Sequence, residues 1–362
     1  MVENYDLIVD LQESKSSTDQ SPDRPLVTFA IPCYNSAEYM RRCIDSLIDA
    51  LNQPCEILIV NDGSADETSK IAHEYASKYD FVKAIDQENM NWGGVVNTAI
   101  AQARGVYFKV LDSDDYFDKD SLAVVLGTLA DLVRDETPPD LLITNYVYDH
   151  IADNSKKTIQ YRKLFPEGRV FTWKEMGKPN IDQQLMVHAI WFKTAVLREA
   201  RVKLPTGVSY MDSLLVLQPM PFVETLFYLD VDAYHYIIGR EGQSVEIDVV
   251  KKQINQQLLA SKLAIDGYDY TKLYEEEPNR ALLMMGYISC MMSVSTIYLF
   301  KINTPEAIQK NKELWSYLEK ENPTLYANVK KSLAGLANRK TPMGRALAKL
   351  FYWIAQRLFK FA

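Results

Sequence analysis

Val106-Tyr-Phe-Lys-Val-Leu-Asp-Ser-Asp-Asp115 begins as a strand and ends as a cluster of acid. Val106, Phe108 and Val110 alternate with Tyr107, Lys109 and Leu111, and β-branched and aromatic residues favour an extended chain. Asp112, Asp114 and Asp115 then fall within four residues. Carboxylates this close repel one another unless water or a cation screens them. Oxygen donors suit Mg²⁺ or Mn²⁺, and a small set of protein ligands leaves coordination positions for phosphate. In open α/β sheets, ligands bind beyond the carboxyl ends of the strands. Position and chemistry both point to a divalent metal that holds a diphosphate. The alternative is an acidic turn that caps the next helix.

Working outward, the same pattern repeats. Leu26 to Ile31 is a short apolar run of the kind a buried strand shows, stopped by Pro32-Cys-Tyr-Asn-Ser36. Ser36 is placed to cap a helix carrying Tyr39, Met40, Cys43, Leu47 and Leu51. Cys55 to Val60 is a second strand, ended by Asn61-Asp-Gly-Ser64, and a helix follows through Ile71 and Tyr75. Phe81 to Ile85 is a third strand, and Asn91-Trp-Gly-Gly94 opens a helix through Val95, Ala99 and Ala103. Strand–helix alternation predicts an α/β fold, a mostly parallel sheet with helices on both faces.

Beyond residue 138 the character changes. Leu141 to Thr144 and Val187 to Phe192 read as strands, residues 149–182 as polar and irregular, and Tyr234 to Ile238 as a further strand. Leu204 to Asp212 is a loop running into a helix that Pro219 ends. From about Val249 the pattern is helical to the end. Ala281 to Phe300 holds no charged residue, which touches the length of a membrane span; its Gly, Ser and Thr content favours the buried helix of a small bundle.

The totals fit a folded two-domain chain: 362 residues, 47% hydrophobic and 24% charged. A net charge of −8 speaks against a general nucleic-acid binder. Cys33, Cys43, Cys55 and Cys290 form no C-x-x-C pair, as expected for reduced thiols in a cytoplasmic protein. The first residues lack the basic-then-apolar pattern of a signal peptide, and residues 1–25 read as a flexible polar arm. Neither a P-loop nor a G-x-G-x-x-G turn is present, so a P-loop ATPase or nicotinamide dehydrogenase is disfavoured. Gly93-Gly94 is only a pair, suited to letting backbone amides approach a ligand at a helix start.

Ile31-Pro-Cys-Tyr-Asn35, Ile59-Val-Asn-Asp-Gly-Ser-Ala-Asp66 and Leu111-Asp-Ser-Asp-Asp115 stand in the order and spacing of the family 2 glycosyltransferases, and the chain resembles them. The resemblance is specific over residues 26–120 and weaker to about 245. It implies the nucleotide-diphospho-sugar fold called GT-A over residues 26–245: a nucleotide-sugar half (26–120) and an acceptor half (121–245). A helical C-terminal region follows (246–362). It implies that Asp62 bonds the nucleobase, expected to be uracil, with Pro32 and Tyr34 in the pocket. Asp112 would contact the ribose, Asp114 the bridging metal, with Asp115 supporting either. The segment Asn91 to Gly94 resembles a subgroup segment that often has His second, and Trp92 departs from it.

Enzymes of this family usually invert the anomeric centre in one in-line displacement, which needs a general base for the acceptor hydroxyl. Asp212, after Met211 at a helix start, matches the position the family uses; the alternative is a plain helix N-terminal carboxylate. Gly239 to Val245 resembles a loop that closes over the diphosphate, where Arg240 would pair with phosphate or else be a solvated charge. His188 would line the acceptor side, or be structural. The resemblance thus implies an inverting, metal-dependent transferase that takes a nucleotide sugar to a sugar or lipid-linked acceptor in bacterial surface polysaccharide or glycolipid assembly. The rivals are a silent GT-A scaffold and a sugar-nucleotide pyrophosphorylase; the latter's phosphate loop is missing, because Pro32-Cys-Tyr-Asn35 stands there.

The C-terminus adds one more expectation. Arg339 to Ala362 carries six Lys or Arg and no acid, and Leu347, Leu350, Phe351, Ile354, Leu358 and Phe361 share one helical face. Residues 341–362 therefore suit either the surface of an anionic membrane, peripheral on its inner face, or the protein's own core.

Overall fold

The computed structural model describes residues 24–179, 184–239 and 251–338. Arg240 and its loop, the arm up to residue 23 and the basic segment 341–362 lie outside the described residues. The chain divides into two compact units. Among described residues, one holds 24–178 and 185–237 and the other 179, 184, 238–239 and 251–338.

The first unit is built on β1 (Val27–Cys33), β2 (Cys55–Asp62), β3 (Val82–Gln87) and β4 (Tyr107–Val110). β1 and β2 are buried along their whole length, which is why they read as continuous apolar runs and not as alternating ones. α1 (Met40–Ile48), α2 (Thr68–Lys78) and α3 (Asn91–Gln102) connect them, and β2–β3, β1–β2 and β1–β4 all pair in parallel. β5 (Tyr116–Phe117), α4 (Lys119–Arg134), β6 (Leu141–His150), β7 (Ser155–Ile159), β8 (Val170–Thr172), β9 (Ile190–Lys193), α5 (Thr194–Glu199), α6 (Asp212–Leu217) and β10 (Thr225–Ile238) follow. The sheet runs β3-β2-β1-β4-β9-β6-β10-β5, with β7 beside β6 and β8 beside β10. β9 is antiparallel to both β4 and β6, so the sheet is parallel in its first half and mixed in its second.

Three local expectations change. Residues 149–182 are not irregular throughout, since β7 and β8 lie there. Among the described residues β7 pairs only with β6, and its Lys156 and Lys157 are the polar signature of an edge strand, which hydrophobic periodicity does not flag. β10 is fourteen residues long and not five. Asp230 and Asp232 interrupt its apolar pattern because both accept from the Asn145 side chain on β6. Ser36 does not cap α1, which starts without a side-chain cap. Its Oγ instead pairs with Ser113 Oγ at 2.7 Å, tying the loop after β1 to the acidic turn.

The second unit is helical, with helices Ile254–Asp266, Tyr270–Glu276, Pro278–Ile302, Pro305–Glu321, Pro323–Val329 and Leu333–Ala337. Three of these start with Pro behind a capping side chain, Glu277, Thr304 or Asn322, because the missing proline N–H has no intrahelical partner to lose. Pro278–Ile302 is long and apolar enough to cross a membrane, and it is largely buried within the protein. Its polar residues face neighbours: Ser295 Oγ meets Ser261 Oγ at 3.1 Å, and Thr296 accepts from Trp315 Nε1 at 3.0 Å. That is the bundle helix the sequence predicts.

Candidate active site

The acidic turn follows β4. Its capping alternative is answered by Asp118, which caps α4 by accepting from Ser121 N at 2.9 Å. Asp112, Asp114 and Asp115 are left for other work, and each is held differently. Asp112 accepts from Trp92 Nε1 at 2.8 Å, and its other oxygen lies 4.0 Å from His188 Nε2. Asp115 is fully buried, and accepts from Tyr234 Oη at 2.5 Å and Ile237 N at 2.9 Å. Asp114 is half-buried, and its carbonyl accepts from Arg42. Donor atoms of Asp112, Asp115 and His188 all lie within 4.8 Å of one another.

His188 belongs to this cluster. It is 7% exposed, yet its Nδ1 has no hydrogen-bond partner, and Nε2 is too far from Asp112 for a hydrogen bond. Its ring stacks on Tyr236 at 4.5 Å and tilts against Tyr234 at 4.8 Å. Burial, with the Lys109 charge adding, pushes the imidazole down to about 3, so it is neutral and able to donate a lone pair. Burial also pushes the Asp112 carboxyl up to about 7, with the charges of Asp114 and Asp212 adding. Two carboxylates and a neutral imidazole without a hydrogen bond form a donor set that fits a divalent cation.

Asp212 is the first residue of α6, and burial raises its carboxyl above the ordinary range. Its charge adds to the rise of the Asp112 carboxyl, so Asp212 lies within electrostatic reach of the cluster. The loop before it is held by α3: Asn97 accepts from Leu204 N at 2.9 Å and donates to Leu204 O at 2.8 Å. Tyr210 stands at φ 64°, a left-handed conformation unusual for an aromatic residue. Gly93 packs here and needs no ligand to explain it. A Cβ on it would stand 2.5 Å from Pro205 O and 3.5 Å from Met211 Cβ. Gly93→Ala is therefore expected to destabilise the protein by about 1–3 kcal/mol, read as a lower melting temperature. An unchanged melting temperature would mean that the loop has room to yield.

Asp62 ends β2 and is buried; its Oδ1 accepts from Gln87 Nε2 at 2.7 Å and Met90 N at 2.9 Å. Pro32 lies in β1, whereas Tyr34, just beyond that strand, is 57% exposed. The turn from Met90 to Trp92 thus touches both Asp62 and Asp112. Trp92, Asn97 and Lys109 were not singled out as site residues from sequence. In the sequence Trp92 reads only as a departure from a subgroup segment that often has His at that place.

The model for "Glycosyl transferase family 2" matches residues 28–179. The uncharacterized glycosyltransferase MG025 of Mycoplasma genitalium is 41% identical over 227 residues, 62% of this chain and 71% of that protein.

The chain belongs to glycosyltransferase family 2.

This glycosyltransferase is also 27% identical to chondroitin synthase of Escherichia coli over 69% of its own length and 34% of that enzyme. S. aureus TarS superposes with a TM-score of 0.63 at 18% identity, over 89% of this chain and 55% of TarS. Its 1–349 fragment, solved with UDP-GlcNAc, gives a TM-score of 0.51 at 20% identity, over 81% of this chain and 90% of the fragment. The likeness to TarS shows a shared GT-A fold. The glycosyltransferase spans only about a third of chondroitin synthase and about half of TarS.

Proposed function

We propose that the enzyme moves a sugar from a UDP-linked donor to a hydroxyl acceptor, with inversion, in the assembly of a surface polysaccharide or glycolipid. The observation that carries this is the convergence of Asp112, Asp115 and His188 with Asp212 beyond the carboxyl end of β4. Asp112, Asp115 and His188 hold a divalent cation, with Asp114 alongside. Such a cation, when bound, neutralises the departing diphosphate. Asp62 receives the base on Oδ2, which has no protein partner among the described residues, with Pro32 and the exposed face of Tyr34 beside it. Arg240 pairs with the diphosphate.

Asp212 takes the acceptor proton as the acceptor oxygen attacks the anomeric carbon and the bond to the diphosphate oxygen breaks. Its raised pKa brings it nearer the working pH, where a general base is most effective. The polysaccharide context has support in the likeness to chondroitin synthase. A lipid-borne acceptor fits the basic, amphipathic sequence of residues 341–362.

Thermal melts with UDP-, GDP- and dTDP-sugars, each with and without Mn²⁺, test the donor. A UDP-sugar with Mn²⁺ is expected to stabilise most, by about 2.7 kcal/mol at a hundredfold excess over Kd. A larger shift with a GDP-sugar would reassign the base pocket. No shift and no turnover with any donor would favour the silent scaffold.

A further inference from the structure

Lys109 lies in β4, three residues before Asp112, and is 1% exposed. Its ammonium has three N–H groups and meets three backbone carbonyls: Val187 O at 2.9 Å, His188 O at 2.6 Å and Ile190 O at 3.1 Å. The faces of Tyr234 (5.1 Å), Trp191 (5.2 Å) and Phe117 (6.0 Å) enclose it. A lysine buried this completely is costly unless its charge is satisfied, and here three carbonyls satisfy it.

The segment it grips delivers His188. Ile190 is the first residue of β9, so Val187 and His188 lie just outside the ladder. No hydrogen bond fixes the imidazole among the described residues; Nδ1 is unpartnered and Nε2 stands 4.0 Å from Asp112. The ring is placed by stacking and by its backbone, and Lys109 anchors that backbone at three points to β4, the strand that leads into Asp112.

We propose that Lys109 is a positioning residue for the cation cluster: its ammonium, seated on the carbonyls of Val187, His188 and Ile190, sets the spacing between His188 and Asp112. This rests on the cation reading of that cluster. Lys109 touches neither substrate nor cation and acts through His188.

The test is a double-mutant cycle on Mn²⁺ affinity, measured without nucleotide on the full chain. His188→Ala and Lys109→Met are each expected to weaken Mn²⁺ binding at least tenfold, the scale of lost ligand support. The double variant should bind no worse than His188→Ala, because Lys109 has nothing left to position. Additive losses overturn the proposal, as does a Lys109→Met protein that folds and binds Mn²⁺ normally. If His188→Ala alone leaves Mn²⁺ binding unchanged, the cation reading of His188 fails first and takes this proposal with it.

Lys109→Gln keeps two donors and is expected to lie between wild type and Lys109→Met. If both variants fail to fold, the wild-type protein carries the test. Its ¹⁵N-lysine spectrum should hold one slowly exchanging ammonium signal that moves on addition of Mg²⁺. Absence of that signal, or no movement, overturns the assignment.

Discussion

Asp212→Asn is expected to lower kcat by about 10²- to 10⁴-fold, the usual worth of a positioned general base. The amide keeps the size of the side chain and its place at the first position of α6, but it accepts no proton at working pH. Donor affinity should hold, because the nucleotide is assigned to Asp62 and to the cation cluster, not to Asp212. The expected pattern is a fall in kcat and kcat/KM together, the mark of an interaction made only in the transition state. The competing role is a helix N-terminal carboxylate, worth about 0.3–1 kcal/mol of stability and little else. Turnover separates the two: a plain helix N-terminal carboxylate costs only that stability when it is neutralised, so Asp212→Asn would melt slightly earlier but keep its kcat. If Asp212→Asn retains turnover, or if donor affinity falls in step with kcat, the assignment is wrong.

Asp112→Asn should be comparably severe by another route. Asp112 is the acid on which the cluster converges: Trp92 holds one oxygen, and the other faces His188. Replacing a charged ligand by an amide is expected to weaken Mn²⁺ binding by about 10- to 100-fold or more and to abolish transfer at ordinary Mn²⁺ concentrations. The pH dependence gives a second signature. Burial raises the Asp112 carboxyl to about 7, so below that pH a proton competes with the cation. Mn²⁺ affinity should rise through pH 6 to 7 and level off above it, and Asp112→Asn should lose that rise.

The sign for the cation-free protein is the opposite. The unfolded chain releases this proton near the ordinary carboxylate pKa of about 4, and the folded one near 7. Stability contributed by this group is therefore lost as pH rises through that window. An Asp112→Asn protein that binds Mn²⁺ and turns over like wild type would sink the assignment and move the weight to Asp114.

Local chemistry wrote much of the fold into the chain. The apolar runs of β1 and β2, the turn residues after them and the alternation around Lys109 were readable because burial on both faces and strand geometry select residue types directly. The three motifs at strand ends led to the family, and the family match bears out that reading. The bundle helix Pro278–Ile302 was readable as well, since a helix buried on most sides needs apolar residues around its circumference. β7 and most of β10 were not. An edge strand and a strand whose acids are satisfied across the sheet by Asn145 carry no hydrophobic period.

What the tertiary structure alone decided is how the acids divide their work. Asp112, Asp114 and Asp115 are equivalent as letters, yet Asp115 is braced by Tyr234 and Ile237 while Asp112 is held by Trp92 and faces His188. Those partners lie roughly 75 to 120 residues away, brought in by β9 pairing with β4 and by β10 pairing with β5 just after the acidic turn. Ser36 reads as a helix cap and bonds Ser113; Gly93 reads as a ligand turn and makes room for the loop before Asp212. Lys109 reads only as one residue of an alternating strand. Only the fold sets three carbonyls around its ammonium, because a buried charge is tolerated where long-range contacts satisfy it, and spacing along one strand does not encode them.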